Sequence, residues 1–317
     1  MSAIGDTCHV VPVVRTLQRA FPQAQLTWVI GMIEAQLIGD LDGVEFVIVD
    51  KSRGWRGFFD LKKALRNQRF DVLLHMHPSM RANVLSMAIK ANRRVGFDHA
   101  RAREGQRWFV NEQVISATKQ HATDAYFCFA QLLGVDEQAL CWNIPLSNQH
   151  QQFAKNHCRN DKPLVIVHPC SSQRQRNFRN WPTECFARVA DHAVSHHDAE
   201  IIITGGATDF EQHYANEICC LSSHNPINLV GKTTLKQLLA LIEQASVVIS
   251  PDSAPVHMAT AVNTPVIGLY ASSNPERTGP YLSQQWTVNK FPEAAEKFLG
   301  ASENQIRLGR RVHDPSV

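Results

Sequence analysis

The segment 246–281, SVVISPDSAPVHMATAVNTPVIGLYASSNPERTGPY, spells out a strand, a turn, a helix and a second strand, an order that belongs to layered α/β architecture. Ser246 to Ser250 is a short β-branched apolar run of the kind buried in a parallel sheet, and Pro251 is expected to end it. Asp252 and Ser253 are candidates to cap the following helix, with Pro255 just inside it and His257 and Met258 beyond. Such a helix start presents unpaired backbone N–H groups and the positive end of a dipole at the carboxyl end of a strand. Phosphates bind there in α/β folds. An ordinary capped helix uses the same residues, so the turn alone leaves both readings open.

The rest of the chain repeats this rhythm. At 317 residues and 44% apolar content it is long for one domain, and two domains of about 150 residues are expected. In the first half, strands are expected at Gln25–Gly31, Phe46–Asp50, Asp71–His77 and Arg94–Phe97. Helices are expected at Val10–Ala20, Phe58–Gln68, Met80–Ala91 and about Thr118–Leu133. A polar stretch with two prolines then reads as a linker plus a short helix. The second half places strands at Leu164–His168, Glu200–Thr204, Asn228–Val230, Ser246–Ser250 and Pro265–Ala271. The expected fold class is therefore α/β, two doubly wound Rossmann-like domains facing across a cleft: 1–145, a linker at 146–162, and 163–317. Both ends read short. Only four residues precede Gly5 and Asp6, where a strand is expected, and HDPSV is a helix-start signal with no helix after it. Either a terminus has been trimmed, or the fold tolerates both losses.

No apolar run reaches the roughly eighteen residues of a membrane span, and MSAIGDTCHV lacks the regions of a signal peptide, so a cytoplasmic protein is expected. The eight cysteines form no C-x-x-C pair and no finger-like spacing with histidine, which argues against a zinc site or a disulfide framework. Net charge is a modest +3, but fourteen Lys and Arg face four acids between Lys51 and Arg107. Some of that excess is solvated helix surface. It also suits an anionic partner: a phosphorylated or carboxylated substrate, an acidic membrane surface or nucleic acid. Nucleic acid fits least, because the block carries no recognisable aromatic or helix-turn-helix motif.

Four loops of the second half fall at carboxyl ends of expected strands. HPCSSQRQRNFRNWP offers the hydroxyls of Ser171 and Ser172 with Arg174, Arg176 and Arg179, groups suited to pyrophosphate or simply to a basic surface loop. TGGATDFEQ sets Gly205 and Gly206 after a strand and Glu211 in the first turn of a helix, where a carboxylate meets either a ribose diol or the helix dipole. VGKTTL, with Thr233, imitates the end of a P-loop, but the required earlier glycine falls at Pro226, so an ATPase is rejected. The fourth loop is the turn at Asp252. In the first half, Asp6 at a helix start is an N-cap or a general base. His75 and His77 flank a strand end without partners at metal spacing and read as structural histidines.

These motifs in this order resemble the bacterial lipopolysaccharide heptosyltransferases, glycosyltransferase family 9. The resemblance rests on SAIGD before a helix, HP-x-SS with RNWP, TGG with a downstream Glu, GKTTL, and PDSAPVH with PERTGPY, which together span nearly the whole chain. It implies a GT-B fold, an acceptor bound mainly by residues 1–145, and ADP-heptose bound mainly by 163–317. It also implies metal-independent, inverting transfer to the inner core of lipopolysaccharide, with no cofactor. Asp6 matches the catalytic carboxylate. Ser171, Ser172 and Arg179 match diphosphate contacts, Glu211 the ribose-binding acid, and Thr233 a residue near the adenine. Asp252, Ser253, Ala254 and His257 match the D-[ST]-G-P-x-H turn: Ser253, Ala254 and His257 on the diphosphate, Asp252 on the nucleoside side. The chain departs from the pattern at Arg179, where the family usually has Lys, and at Ala254, where it has Gly. It also lacks the initial I-L-x-x-R strand and the helix after the last D-P. The implied partners are ADP-heptose, an anionic 3-deoxy-octulosonic acid–lipid A acceptor and the inner-membrane surface. Rival readings are a GT-B transferase for another nucleotide sugar, a sugar-nucleotide epimerase of similar architecture, and a non-catalytic relative that binds nucleotide sugar or polyanion.

Overall fold

The computed structural model describes residues 3–117, 119–158, 162–171, 177–307, 309–314 and 316, and the chain divides into two units, Met1–Pro145 and Leu146–Val317. Thr118, where a helix was expected to begin, lies outside the described residues.

In the first unit the order is α1 (Ile4–Ala20), β1 (Leu26–Gly31), α2 (Met32–Ile38), β2 (Val44–Val49), α3 (Trp55–Ala64), β3 (Phe70–Leu74), α4 (Met80–Ser86), β4 (Ala91–Gly96), β5 (Glu112–Gln113) and α5 (Ala122–Leu132). All strand pairs are parallel, as β/α alternation demands. The sheet lies in two pieces, β2-β1 and β3-β4-β5. Helices cover both faces. Trp28, Val72 and Leu74 pack against α1 and α5 around Val13, Phe127 and Phe129. Their alternates Val29, Val47 and Leu73 pack against α3 and α4 around Leu61, Leu65 and Leu85. That alternation is the period-two geometry of a strand buried on both sides.

Three boundaries differ from expectation for local reasons. α1 begins at Ile4 rather than Val10, because Ala3 N donates to Asp6 Oδ2 at 3.3 Å and the helix is held from its third position. α4 stops at Ser86, and Ala91 starts β4 instead of ending a helix. Arg94 draws this corner together by donating to the carbonyls of Ser86, Ile89 and Phe109 at 2.8–2.9 Å. His75 and His77 lie just beyond β3 rather than within it.

The second unit runs α6 (Asn148–His157), β6 (Leu164–Val167), α7 (Thr183–His197), β7 (Glu200–Ile203), α8 (Asp209–Leu221), β8 (Ile227–Asn228), α9 (Leu235–Gln244), β9 (Val247–Pro251), α10 (Ala254–Ala261), β10 (Val266–Tyr270), α11 (Pro275–Thr278), β11 (Val288–Asn289) and α12 (Phe291–Leu299). Its six strands form one sheet in the order β11-β10-β9-β6-β7-β8, with every pair parallel. Val165, Val167, Ile201 and Ile203 pack with Phe186 and Ile218 on one face. Ile166 and Ile202, fully buried, point to the other. The helix starts follow capping chemistry: Thr208 caps α8, and Thr234 with Gln237 forms a capping box for α9. Pro251 does not stop β9 as expected but ends it from within, paired in register with Leu269; a proline lacks only the N–H, and its carbonyl remains usable.

Candidate functional site

Strand order marks a candidate site in the second unit. The chain builds β6, β7 and β8 to one side, then returns to place β9 on the other side of β6. Ligands of open parallel sheets gather at the carboxyl ends of the strands where this reversal occurs. At that point the loop after β6, carrying Ser171 and Arg179, faces the turn after β9, carrying Asp252 and Ser253.

Arg179 ties the two loops. Its Nη1 donates to the Asp252 carbonyl at 2.6 Å and to the Asp252 carboxylate at 3.2 Å, while Nε donates to Asn177 Oδ1 at 2.8 Å. The pair is buried, with side chains 11% and 7% exposed. Arg311 joins from near the other end of the unit, its Nη2 donating to the same Asp252 oxygen at 3.4 Å. Two guanidinium groups therefore meet one carboxylate at a helix start, leaving positive charge in excess. The segment is seated by Val312 N donating to Ser272 O at 2.9 Å.

The cap side chain does not close the helix start. Ser253 is the N-cap of α10, yet its side chain makes no cap bond; its hydroxyl is shared with that of Ser250 at 2.7 Å. First-turn N–H groups are thus not satisfied by the cap side chain. Ala254 is the first helical residue and is not among the residues with positive φ, so a Cβ there costs no backbone strain. His257 is buried one turn further in.

Ser171 is 1% exposed and its hydroxyl is already engaged. Ser171 N and Oγ donate to Asn180 Oδ1 at 2.9 and 3.0 Å, and Asn177 Nδ2 donates to Ser171 Oγ at 2.7 Å. Ser171 therefore shapes the loop. Ser172, with Arg174 and Arg176, lies outside the described residues.

After β7, Glu211 occupies the third position of α8, its backbone N–H bonded to Thr208 Oγ1 at 3.2 Å. Its carboxylate folds back over Gly206, where an added Cβ would stand 2.5 Å from Oε2. Glu211 is buried, and Oε2 has no hydrogen-bond partner among the described residues. Burial raises its pKa above the usual carboxylate range, partly offset by a bond from the Gly206 backbone. An unsatisfied buried carboxylate oxygen at a strand end fits a hydroxyl donor. Thr233 follows β8 and directly precedes the cap of α9, at the edge of the same row of loops.

In the first unit, Asp6 Oδ2 lies 3.9 Å from His77 Nδ1, so the first turn of α1 sits at the carboxyl end of β3. Burial lowers the His77 pKa. His75 beside it bonds Asn83 Oδ1 at 2.8 Å, and burial pushes its pKa down to about 4. His75 is structural, as expected, whereas His77 stands within reach of the candidate base. The basic block is less free than its count suggests. Lys51 pairs with buried Glu34, Arg53 with Asp60, Arg93 with Glu112 and Arg101 with Asp98, and Arg94 is spent on carbonyls. Arg81, at the start of α4 after β3, remains exposed.

The sequence profile of "Glycosyltransferase family 9 (heptosyltransferase)" matches residues 58–305. The lipopolysaccharide core heptosyltransferase OpsX of Haemophilus influenzae is 37% identical over 306 residues, covering 96% of this chain and 87% of that protein. The chain belongs to glycosyltransferase family 9, the heptosyltransferases. It is accordingly a transferase. Solved members of family 9 share the fold. The glycosyltransferase family 9 structure from Veillonella parvula DSM 2008 superposes with a TM-score of 0.79 at 22% identity, over 97% of this chain and 90% of that one. E. coli heptosyltransferase WaaC with ADP-2-deoxy-2-fluoro heptose gives 0.70 at 20% identity, over 95% and 97%. These superpositions establish the α/β GT-B class.

Two of the family 9 departures now have physical readings. Arg179 in place of Lys uses a second nitrogen to hold Asn177 while Nη1 holds Asp252, which a lysine ammonium could not do in this geometry. Ala254 in place of Gly is accommodated in an ordinary helical first turn. Arg311 and His77 were not singled out as site residues by motif reading. Arg311 sits in an irregular basic tail with no periodic signal, and His77 gains meaning only from its approach to Asp6.

Proposed function

We propose that this chain transfers heptose from ADP-heptose to the inner core of lipopolysaccharide, by a metal-independent single displacement that inverts the anomeric carbon. The observation that carries the reading is the junction of Arg179, Arg311 and Asp252 at the start of α10, on the switch point of the second unit. Support comes also from the relatives: a lipopolysaccharide core heptosyltransferase at 37% identity, and a heptosyltransferase solved with ADP-2-deoxy-2-fluoro heptose.

In this reading residues 163–317 bind the donor. Arg179, Arg311 and the N–H groups following Ser253 take the diphosphate, Ser171 and Ser172 shape and complete that loop, and His257 backs the turn. Glu211 accepts a ribose hydroxyl, Thr233 lies by the adenine, and Asp252 serves the nucleoside side through the two guanidiniums it fixes. Charge grows on the leaving diphosphate, so these donors stabilise the transition state more than the ground state. Residues 1–145 bind the acceptor. Asp6 accepts the proton of the attacking hydroxyl as that oxygen displaces ADP. Arg81 and its basic neighbours receive acceptor carboxylates and phosphates. The enzyme works in the cytoplasm at the inner-membrane surface; no helix among the described residues is long and apolar enough to cross a membrane.

The test is transfer from ADP-heptose to a 3-deoxy-octulosonic acid–lipid A acceptor. Asp6→Ala should lower turnover by about 10²–10⁴-fold while ADP binding persists. Undiminished turnover rules out Asp6 as the base. Tighter binding of UDP or GDP than of ADP rules out the donor.

A further inference from the structure

Two buried carboxylates in this chain share one arrangement. In the second unit Glu211 lies over Gly206 just past a strand end, with Oε2 unpartnered among the described residues. In the first unit Glu34, the third residue of α2, lies over Gly31, the last residue of β1. Its side chain is 4% exposed, and its Oε2 likewise has no hydrogen-bond partner among the described residues. The other oxygen accepts from Lys51 Nζ. A Cβ at Gly31 would overlap Glu34 Oε2 and stand 2.6 Å from Lys51 Cε, so a side chain at this strand end would push the pair aside.

The pair sits beside the candidate base. Gly31 is in register with Val49, the last residue of β2, and Lys51 follows two residues later, so both groups lie at the carboxyl ends of β1 and β2. Burial chiefly lowers the His77 pKa, and the charge of Lys51 pushes it the same way, which sets Lys51 near the histidine that approaches Asp6. Lys51 is the accessible member, its side chain 31% exposed. Its flexible stem covers the carboxylate, and a turn of that stem opens it. A carboxylate oxygen that has left water without gaining a donor costs free energy until a ligand supplies one.

We propose that Glu34 and Lys51 form a hydroxyl-recognising subsite for the acceptor sugar, Lys51 donating to one oxygen of a vicinal diol and Glu34 Oε2 accepting from the neighbouring hydroxyl. The chemistry follows from the charges. The two cancel each other, so the pair attracts an anion far less than a lone cation does. It offers instead an acceptor and a charge-assisted donor side by side, which suits a group that both donates and accepts. A carbohydrate diol is such a group. The inference rests on the reading of residues 1–145 as the acceptor side. Glu34 and Lys51 are positioning residues in it: they hold the acceptor ring so that the attacking hydroxyl meets Asp6.

The experiment titrates the full chain with the 3-deoxy-octulosonic acid–lipid A acceptor by calorimetry, with no donor present, and then measures steady-state transfer. It compares the parent with Glu34→Gln and with Glu34→Gln/Lys51→Met, which replaces the ion pair by neutral groups of similar size; urea unfolding checks that both fold. Acceptors lacking single hydroxyls, and one with its carboxyl group reduced to an alcohol, are run on all three proteins. Both variants should weaken acceptor binding and raise acceptor KM about tenfold or more, with kcat and the KM for ADP-heptose within about threefold of the parent. At least one deoxy acceptor should bind the parent about tenfold more weakly, and that penalty should vanish in the variants. Parent-like acceptor binding by folded variants would overturn the proposal and leave a purely structural ion pair. A penalty that vanishes only for the carboxyl-reduced acceptor would overturn it too, because the group received is then a carboxylate. The parent alone supplies a third check: equal binding of every deoxy acceptor sinks the idea without any variant. A parent that binds no acceptor at all removes the acceptor reading and this proposal together, whereas each of the other failures removes the proposal alone.

Discussion

His77 Nδ1 stands 3.9 Å from Asp6 Oδ2, joining the end of β3 to the first turn of α1. Because burial lowers the pKa of His77, its imidazole is neutral near neutral pH and acts on Asp6 as a dipole rather than a charge. His77→Gln should therefore leave transfer at about pH 7.5 within roughly threefold of the parent. The two rates should part only on the acid side, where the parent imidazole takes up its proton. A pH–rate profile checks this; a uniform loss across the whole range would give His77 a role in proton transfer itself.

The Arg179–Asp252 pair is buried, so removing one partner leaves the other uncompensated. Asp252→Ala should destabilise the second unit by about 3 kcal/mol. Arg311, with its side chain 36% exposed, should contribute well under about 1 kcal/mol of stability through the same oxygen. Urea unfolding should separate the two. In ADP titrations Arg179→Lys should weaken binding by about tenfold despite its retained charge, because the fork geometry is lost. Equal affinity for the Lys variant would mean that Arg179 acts as a point charge.

Glu211 Oε2 lies buried over Gly206 and lacks a partner among the described residues. If it accepts a ribose hydroxyl, the parent should prefer ADP over 2′,3′-dideoxy-ADP by about 10–100-fold, and Glu211→Ala should abolish most of that preference. Competition binding with the two nucleotides measures it. A variant that still discriminates fully would assign Glu211 to the helix dipole alone.

His75 and His168 should each contribute to the pH dependence of stability. Burial lowers each pKa from 6.5 to about 4, and His168 keeps a bond to Thr204 Oγ1 at 3.0 Å. The unfolded chain thus binds more protons than the folded one between these values, so stability rises with pH across that window. As pH falls from about 6.5 to about 4, on the order of 3 kcal/mol should be lost per histidine. Each unit should show this in chemical denaturation, and His168→Gln should flatten the profile of the second unit. An unchanged slope would place the acid sensitivity in carboxylates.

Much of this was legible because period and punctuation are local. Ile201–Ile203 and Val247–Ile249 are apolar runs bounded by turn residues, and the structure makes both of them strands. Asp252, Ser253 and Pro255 marked the start of α10 within one residue. Less legible were features set by distant partners. Met80–Ala91 reads as one helix, but Arg94 and the pairing of β4 with β3 claim its end. Ser171 reads as a free hydroxyl, but Asn177 and Asn180 consume it. The basic block reads as a surface, but at least six of its members are bound to acids or carbonyls that no linear pattern announces.

The reversal that places β9 beside β6 has a temporal side. Val165 must find Val247 across three intervening helices and two strands, so this pairing closes a long loop and comes late. β6 and β7 can pair much earlier, from close in sequence. The loops that bear Arg179 and Asp252 meet only when β9 docks, so under the proposed donor assignment nucleotide affinity is expected to be the last property this unit acquires as it folds. A refolding chain followed by binding of a fluorescently labelled ADP and by far-UV dichroism together should regain its secondary structure well before it binds the nucleotide.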